Sequence, residues 1–167
     1  MTLRGRALRG GITIGMAYAD HSFVTGPAHL AAVLLEEKEA KNPRVLIADD
    51  IYTEIIDTVD DDTFQLLQHY LLRDTDNKVF VNYLLGIEED GVQDDIQRAL
   101  AEHRDYLNRA LSSAAGIPGV YEKYMWAAGY HNYVRATFHE QLPACLDVPD
   151  IAPSPLSRLT RGSTRPT

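Results

Sequence analysis

The sequence predicts a mixed α/β fold of the α+β kind, and three observations carry that reading. The stretch from Leu8 to Asp49 reads as strand, hairpin, strand, helix, strand. Residues 51–146 are dominated by helical apolar stripes, interrupted by one short β-rich run. From Asp147 the composition turns to Pro, Ser, Thr and Arg. The organisation expected is therefore a sheet-forming unit over residues 1–50, a mainly helical extension over 51–146 packed on it as the same domain, and a disordered tail over 147–167.

Ala7–Met16 alternates small or apolar residues with Arg9 and Thr13, and Ile12, Thr13 and Ile14 favour an extended backbone, so it reads as a strand thinned by glycines. Ala19-Asp20-His21-Ser22 is a polar break before Phe23-Val24, which predicts a hairpin. Gly26-Pro27 stops the second strand and opens a helix, because proline is tolerated in the first turn and its φ is already helical. That helix is expected to run to about Ala40 and to end before Asn42-Pro43. Arg44–Ala48 is a short, mostly apolar run that reads as a buried strand.

Asp49–Asp62 is acidic, and hard cations prefer carboxylate oxygens. Ile51, Ile55, Ile56 and Val59 lie at helical intervals, however, so the acids are read as the solvated face of a helix, with Asp60–Asp62 capping the next one. Thr63–Arg73 predicts an amphipathic helix and Asp74–Asn77 a turn. The turn lacks the glycine and distal glutamate of a calcium loop. Val79–Leu84 is a strand or an extended docking segment, followed by an acidic break at Glu88–Gly91. Val92–Ala114 carries Ile96, Leu100, His103, Leu107 and Leu111 along one helical face. After Gly116–Gly119 comes Val120–Gln141, a helix rich in aromatics. Tyr124, His131 and Arg135 lie close enough along it to line a pocket, but large aromatic area is accounted for by packing alone.

Net charge −8 and a pI near 5.1 argue against a nucleic-acid binder, whose footprint would be basic. Cys145 stands alone, so neither a disulfide framework nor a thiolate metal site is expected, in keeping with a cytoplasmic setting. The basic start lacks an apolar signal-peptide core, and no run is long enough to span a membrane. Walker-type glycine loops, HExxH and GxSxG are absent from the sequence.

Arg9-Gly10-Gly11-Ile12-Thr13-Ile14-Gly15, Tyr18, Asp20, Gly26-Pro27-Ala28, Leu35-Glu36, Ala40 and Pro43-Arg44-Val45 form an ordered set. In order and spacing it resembles the C-terminal half of the catalytic domain of class III nucleotide cyclases. The nearest likeness is to the divergent bacterial branch that includes the pyrimidine cyclases of anti-phage defence. Lys123-Tyr124-Met125-Trp126-Ala127, with Tyr130-His131-Asn132, is similar to that branch's C-terminal helical extension.

The resemblance implies a partial ferredoxin-like cyclase sheet that dimerises with active sites at the interface. Such enzymes hold two divalent ions, Mg²⁺ or Mn²⁺, on two aspartates, activate the ribose 3′-hydroxyl and stabilise the departing pyrophosphate. Both aspartates lie in the N-terminal half, ahead of the matching segment, so the ligands are expected to be missing from this chain. Counted from Gly26, the ribose-orienting Asn and the phosphate-stabilising Arg of ordinary cyclases fall on Leu30 and Leu34, which cannot hydrogen bond. The base-reading position falls on Phe23, a flat apolar contact that fits a divergent base pocket and an inactive domain alike. No residue is assigned a catalytic role.

The activity implied is conversion of a nucleoside triphosphate, CTP or UTP among the candidates, to a 3′,5′-cyclic nucleotide in anti-phage signalling. It would be carried out by an incomplete or split enzyme, as a homodimer or with a separate N-terminal half. The alternative is a non-catalytic dimerisation or regulatory module derived from a cyclase. In either case a strand that is central in the family's sheet lies near Met1, and self-association through its edge is expected.

Overall fold

A computed structural model describes residues 8–85 and 93–161. In chain order the elements are β1 (Gly10–Ile12), β2 (Tyr18–Ala19), β3 (Val24–Thr25), α1 (Pro27–Lys38), β4 (Val45–Ile47), α2 (Asp49–Thr58) and α3 (Asp61–Tyr70). They continue with β5 (Leu71–Arg73), β6 (Val79–Val81), α4 (Gln93–Ala114), α5 (Pro118–Phe138), a 3-10 turn at Ala144–Leu146, and β7 (Ser157–Arg158). The fold is α+β. A five-stranded sheet has the order β1-β4-β6-β5-β7, and β2-β3 form a separate hairpin. Within the sheet β1 and β4 are parallel and the other pairs antiparallel.

Side chains alternate across a strand, and the register therefore sorts the core into two layers. Gly11 lies opposite Leu46, Leu46 opposite Phe80, and Phe80 opposite Leu72. This row faces α1 and α5, where Leu35, Tyr130 and Val134 complete the cluster. The alternate positions Ile47, Leu71 and Val79 face the other way, onto Ile51 of α2 and Phe64 of α3. α4 packs on the outer side of α5 through Leu107, Ala127 and Ala128. No helix among the described residues is long and apolar enough to cross a membrane.

Local chemistry explains the boundaries. Gly26 has φ 121°, a conformation that only glycine adopts without strain, and a Cβ there would meet Ala17 and the Met16 carbonyl at 3.0 Å. Pro27 follows at the start of α1. The Asp60 carboxylate accepts from the Thr63 N–H at 2.8 Å and caps α3, as the sequence suggests. Asn77, at φ 67°, closes the turn between β5 and β6, with its N–H donating to the Asp74 carbonyl at 2.9 Å.

Three sequence expectations are corrected. The long first strand shrinks to Gly10–Ile12, and its partner is β4; the hairpin is instead the self-contained β2-β3 pair. The helix expected to reach Arg73 stops at Tyr70, because Leu71 and Leu72 are buried on opposite faces of the sheet as β5. The tail expected from Asp147 is ordered through Arg161: Val148, Leu156 and Leu159 are buried, and β7 pairs with β5. Val79–Val81 is a strand. The break at Glu88–Gly91 lies outside the described residues.

Candidate functional site

Of the residues that carry the cyclase resemblance, those from Arg9 to Val45 form one unit, in which α1 packs on β1, β3 and β4. Gly11 makes the closest approach possible, since a Cβ on it would sit 2.6 Å from the Ala32 carbonyl oxygen of α1. The hairpin is tied to the helix by the Ala28 N–H, which donates to the Met16 carbonyl at 3.1 Å. Its tip is built by Asp20, whose carboxylate accepts from the Ser22 N–H and hydroxyl at 2.7 Å each and from the Phe23 N–H at 3.1 Å. The Ser22 hydroxyl and then the backbone donors hold the Asp20 carboxyl below its ordinary range.

Phe23 lies beside Tyr18, ring centres 5.6 Å apart, and remains 53% exposed. Leu30 and Leu34 are 59% and 38% exposed and, four residues apart, share a face of α1. The hairpin strand that follows Phe23 packs against the same helix. The three positions singled out in the sequence thus occupy the outer surface of a single unit. Their side chains offer apolar contact and no hydrogen bond to a ribose or phosphate.

The resemblance implies a metal pair, and the aspartates in or beside this unit are Asp20, Asp49 and Asp50. Asp20 is committed to its turn. Asp49 pairs with Lys78 at 2.6 Å, and Glu39 reaches the same ammonium at 2.6 Å. Those hydrogen bonds, Asp49's first, raise the Lys78 pKa. Asp50 accepts from its neighbour's N–H, Ile51, at 2.9 Å. No three His, Cys, Asp or Glu side chains converge as metal ligands among the described residues. Asp20, Asp49 and Asp50 are thus each engaged by other groups, an arrangement that does not fit a two-metal centre at these three carboxylates.

Two polar clusters of the interior were not visible in sequence. Arg44 is 1% exposed, and its guanidinium donates to Asp74 and Asp76 of the β5–β6 turn while lying over the rings of Phe80 and Trp126. Asp74 also accepts from the Trp126 indole N–H at 2.8 Å. The acidic turn is the counter-charge of a buried arginine.

The second cluster joins α4, α5 and the segment after α5. The His131 Nε2–H donates to the Leu146 carbonyl at 3.0 Å, which leaves its Nδ1 bare to accept from the His103 Nδ1–H at 3.0 Å. Burial pushes His103 down to about 3 and lowers His131 as well. Tyr83 meets the His103 ring edge-on, and the Tyr130 hydroxyl donates to Asn82 at 2.7 Å while accepting from the Leu84 N–H. Tyr124 packs edge-on against Tyr106, and Arg135 forks onto Asp147. Tyr124, His131 and Arg135 are thus each held by a different partner, a ring, a histidine and backbone carbonyl, and a carboxylate. No family model, curated protein or solved structure matches the chain.

Proposed function

We propose that the chain is a nucleotide cyclase-like protein, contributing the half that resembles the base- and ribose-facing part of class III catalytic domains. The reaction would convert a nucleoside triphosphate, with CTP and UTP first among the candidates, to a 3′,5′-cyclic nucleotide and pyrophosphate. Anti-phage signalling is the setting that the resemblance suggests. One observation carries the reading. The matching residues from Arg9 to Val45 fold as one unit, and its site positions Phe23, Leu30 and Leu34 face outward although they are apolar. Large apolar groups left at a surface mark places where something else packs. Since Asp20, Asp49 and Asp50 do not fit the metal pair, the carboxylates would come from a further polypeptide segment, and the 167 residues alone would be inactive.

A second reading is favoured by the same surface chemistry. Leu30 and Leu34 stand where hydrogen-bonding side chains would be needed, and removing even one preorganised donor typically costs about 10²–10³ in rate. On this view the protein is a non-catalytic dimerisation or regulatory module derived from a cyclase. Complementation separates the two. The purified chain is mixed with a polypeptide carrying the family's N-terminal half, Mg²⁺ or Mn²⁺, and each of ATP, GTP, CTP and UTP. Cyclic product from the mixture supports the cyclase reading, and its absence favours the module.

A further inference from the structure

The sheet beyond β5 is completed by the segment that follows α5. β7 pairs with β5 over two residue pairs, Leu72 with Arg158 and Arg73 with Ser157. Leu156 and Leu159 flank β7 three residues apart, so the alternation of an extended chain sends them to opposite faces. Leu156 enters the layer of Leu72, Phe80 and Tyr130, and Leu159 the layer of Phe64, Leu71 and Val79. Each leucine is followed two positions on by an arginine set over a ring: Arg158 lies 4.7 Å from the Phe138 centroid and Arg161 5.0 Å from that of Phe64. Arg161 also pairs with Asp61 at 3.0 Å and donates to the Val59 carbonyl at 2.8 Å. The segment thus reads Leu-x-Arg twice, Leu156-Ser157-Arg158 and Leu159-Thr160-Arg161, and its surroundings answer each triplet with one apolar socket and one aromatic face.

The segment divides at Asp150, where the backbone takes φ 60°. Before this bend Leu146, Asp147 and Val148 are each fixed by a side chain of α5: His131, Arg135 and Asn132. Past Ile151 the contacts are of another kind. Pro153 and Pro155 offer no N–H to lengthen the ladder. What holds residues 152–161 is the short ladder, the Ser154 N–H on the Gly129 carbonyl, Gln68 on the Leu159 carbonyl, two leucines and two exposed arginines. An extended segment of another chain can make every one of these contacts, because they use only backbone groups and the side chains of the repeated triplet. Charge selects among such segments. Residues 152–161 carry Arg158 and Arg161 and no acid, and they lie beside Asp61 on a chain of net charge −8.

We propose that the groove along β5 is a peptide-binding site and that residues 152–161 are its internal occupant. The site takes an extended, basic segment of a partner protein in which Leu-x-Arg occurs twice in succession. The partner adds to the sheet as a strand, with main-chain pairing giving affinity and the two sockets giving specificity. The chain's own segment competes for the groove and sets the affinity that a partner must exceed, while the α5 side chains on residues 146–148 keep the displaced segment tethered. The inference goes beyond the cyclase reading and does not depend on it.

The test uses the full chain and a fluorescent synthetic peptide of residues 152–161, read by anisotropy, with a control peptide carrying glutamate in place of both arginines. Arg158→Ser/Arg161→Ser weakens the internal occupant through exposed side chains and leaves both leucines in place, so its fold should hold. Two cation–π contacts at exposed sites together amount to roughly a tenfold change in an equilibrium constant, so the variant should bind the peptide about 10-fold more tightly than the wild type. Amide exchange reports where the peptide sits. The chain's Ser154 amide, bonded to Gly129 when the groove is self-occupied, should turn from slow to fast on binding, while the Val148 amide on Asn132 stays slow. Equal affinity of wild type and variant, no binding by either, equally tight binding of the glutamate peptide, or a Ser154 amide that stays slow in the complex overturns the proposal. If the variant fails to fold, the wild type titrated with peptide decides through the same two amides. A chain that binds no peptide but dimerises by trading residues 152–161 between copies overturns the foreign occupant.

Discussion

His103 and His131 meet Nδ1 to Nδ1 at 3.0 Å between α4 and α5, and the Leu146 carbonyl on the far side of His131 fixes which ring donates. A proton on the His131 Nδ1 would set two N–H groups against each other, and burial disfavours a charge on either ring. Unfolded histidines titrate near 6.5, whereas burial holds His103 to about 3 and lowers His131. On acidification the unfolded chain therefore takes up protons first. This stabilisation is complete above pH ~6.5 and is lost as pH falls toward the folded value, by at most ~1.4 kcal/mol per unit for each histidine. Urea midpoints at pH 7, 6 and 5 should fall steadily, and His103→Gln should flatten the profile. An equally steep decline in that variant would assign the pH dependence to other groups.

Arg44 ties the turn after β5 to the aromatic layer, and its two carboxylates are not equivalent. The Asp74 side chain is 6% exposed and also holds Trp126, whereas that of Asp76 is 47% exposed. Removing one partner of a buried pair leaves an uncompensated charge and costs about 3–5 kcal/mol; Asp76 remains beside Arg44 here, so Asp74→Ala should cost about 3 kcal/mol. Asp76→Ala should cost under ~1 kcal/mol, as solvent-screened pairs do. Denaturant unfolding measures both, and near-ultraviolet dichroism of the single tryptophan should change only for Asp74→Ala. Equal losses would show that the two carboxylates share the charge evenly.

The segment after α5 is a strap clipped to the rest of the fold. Asn132 bonds the backbone of Val148 and Ile151, the Ser154 N–H donates to the Gly129 carbonyl at 2.9 Å, and Gln68 donates to the Leu159 carbonyl at 2.7 Å. Deleting residues 152–167 removes β7 and the buried Leu156 and Leu159, each worth about 1.5–3 kcal/mol. The melting temperature should drop by at least ~5 °C, given about 2–4 °C per kcal/mol for a chain of this size. An unchanged melting curve would return the strap to the status of a dangling tail.

What could be read in the sequence were features set by local rules. Gly26-Pro27 marked the start of α1, Asp60 the cap of α3, and the stripe through Leu100, His103 and Leu107 the inward face of α4. What was missed depends on contacts distant along the chain. Leu71-Leu72 continues the apolar pattern of α3, and only the pairing with Val79–Val81 makes it a strand. Leu156 and Leu159 are too few to signal a packed segment until β5 offers an edge. Arg44 stands in sequence only as the first residue of an otherwise apolar run, because its counter-charges lie 30 and 32 residues away. The candidate positions Phe23, Leu30 and Leu34 were placed by resemblance, and their outward exposure is consistent with local patterning, since α1 has apolar residues on more than its buried face.

Cyclic-nucleotide formation tests the central claim most directly, measured on the isolated chain, the isolated N-terminal half, their mixture, and a mixture in which the chain carries Phe23→Ala. The account predicts product above a no-protein control only in the mixtures, with the preference among CTP, UTP, ATP and GTP altered by Phe23→Ala. Cyclic product from the isolated 167 residues, or none from the wild-type mixture, would contradict it.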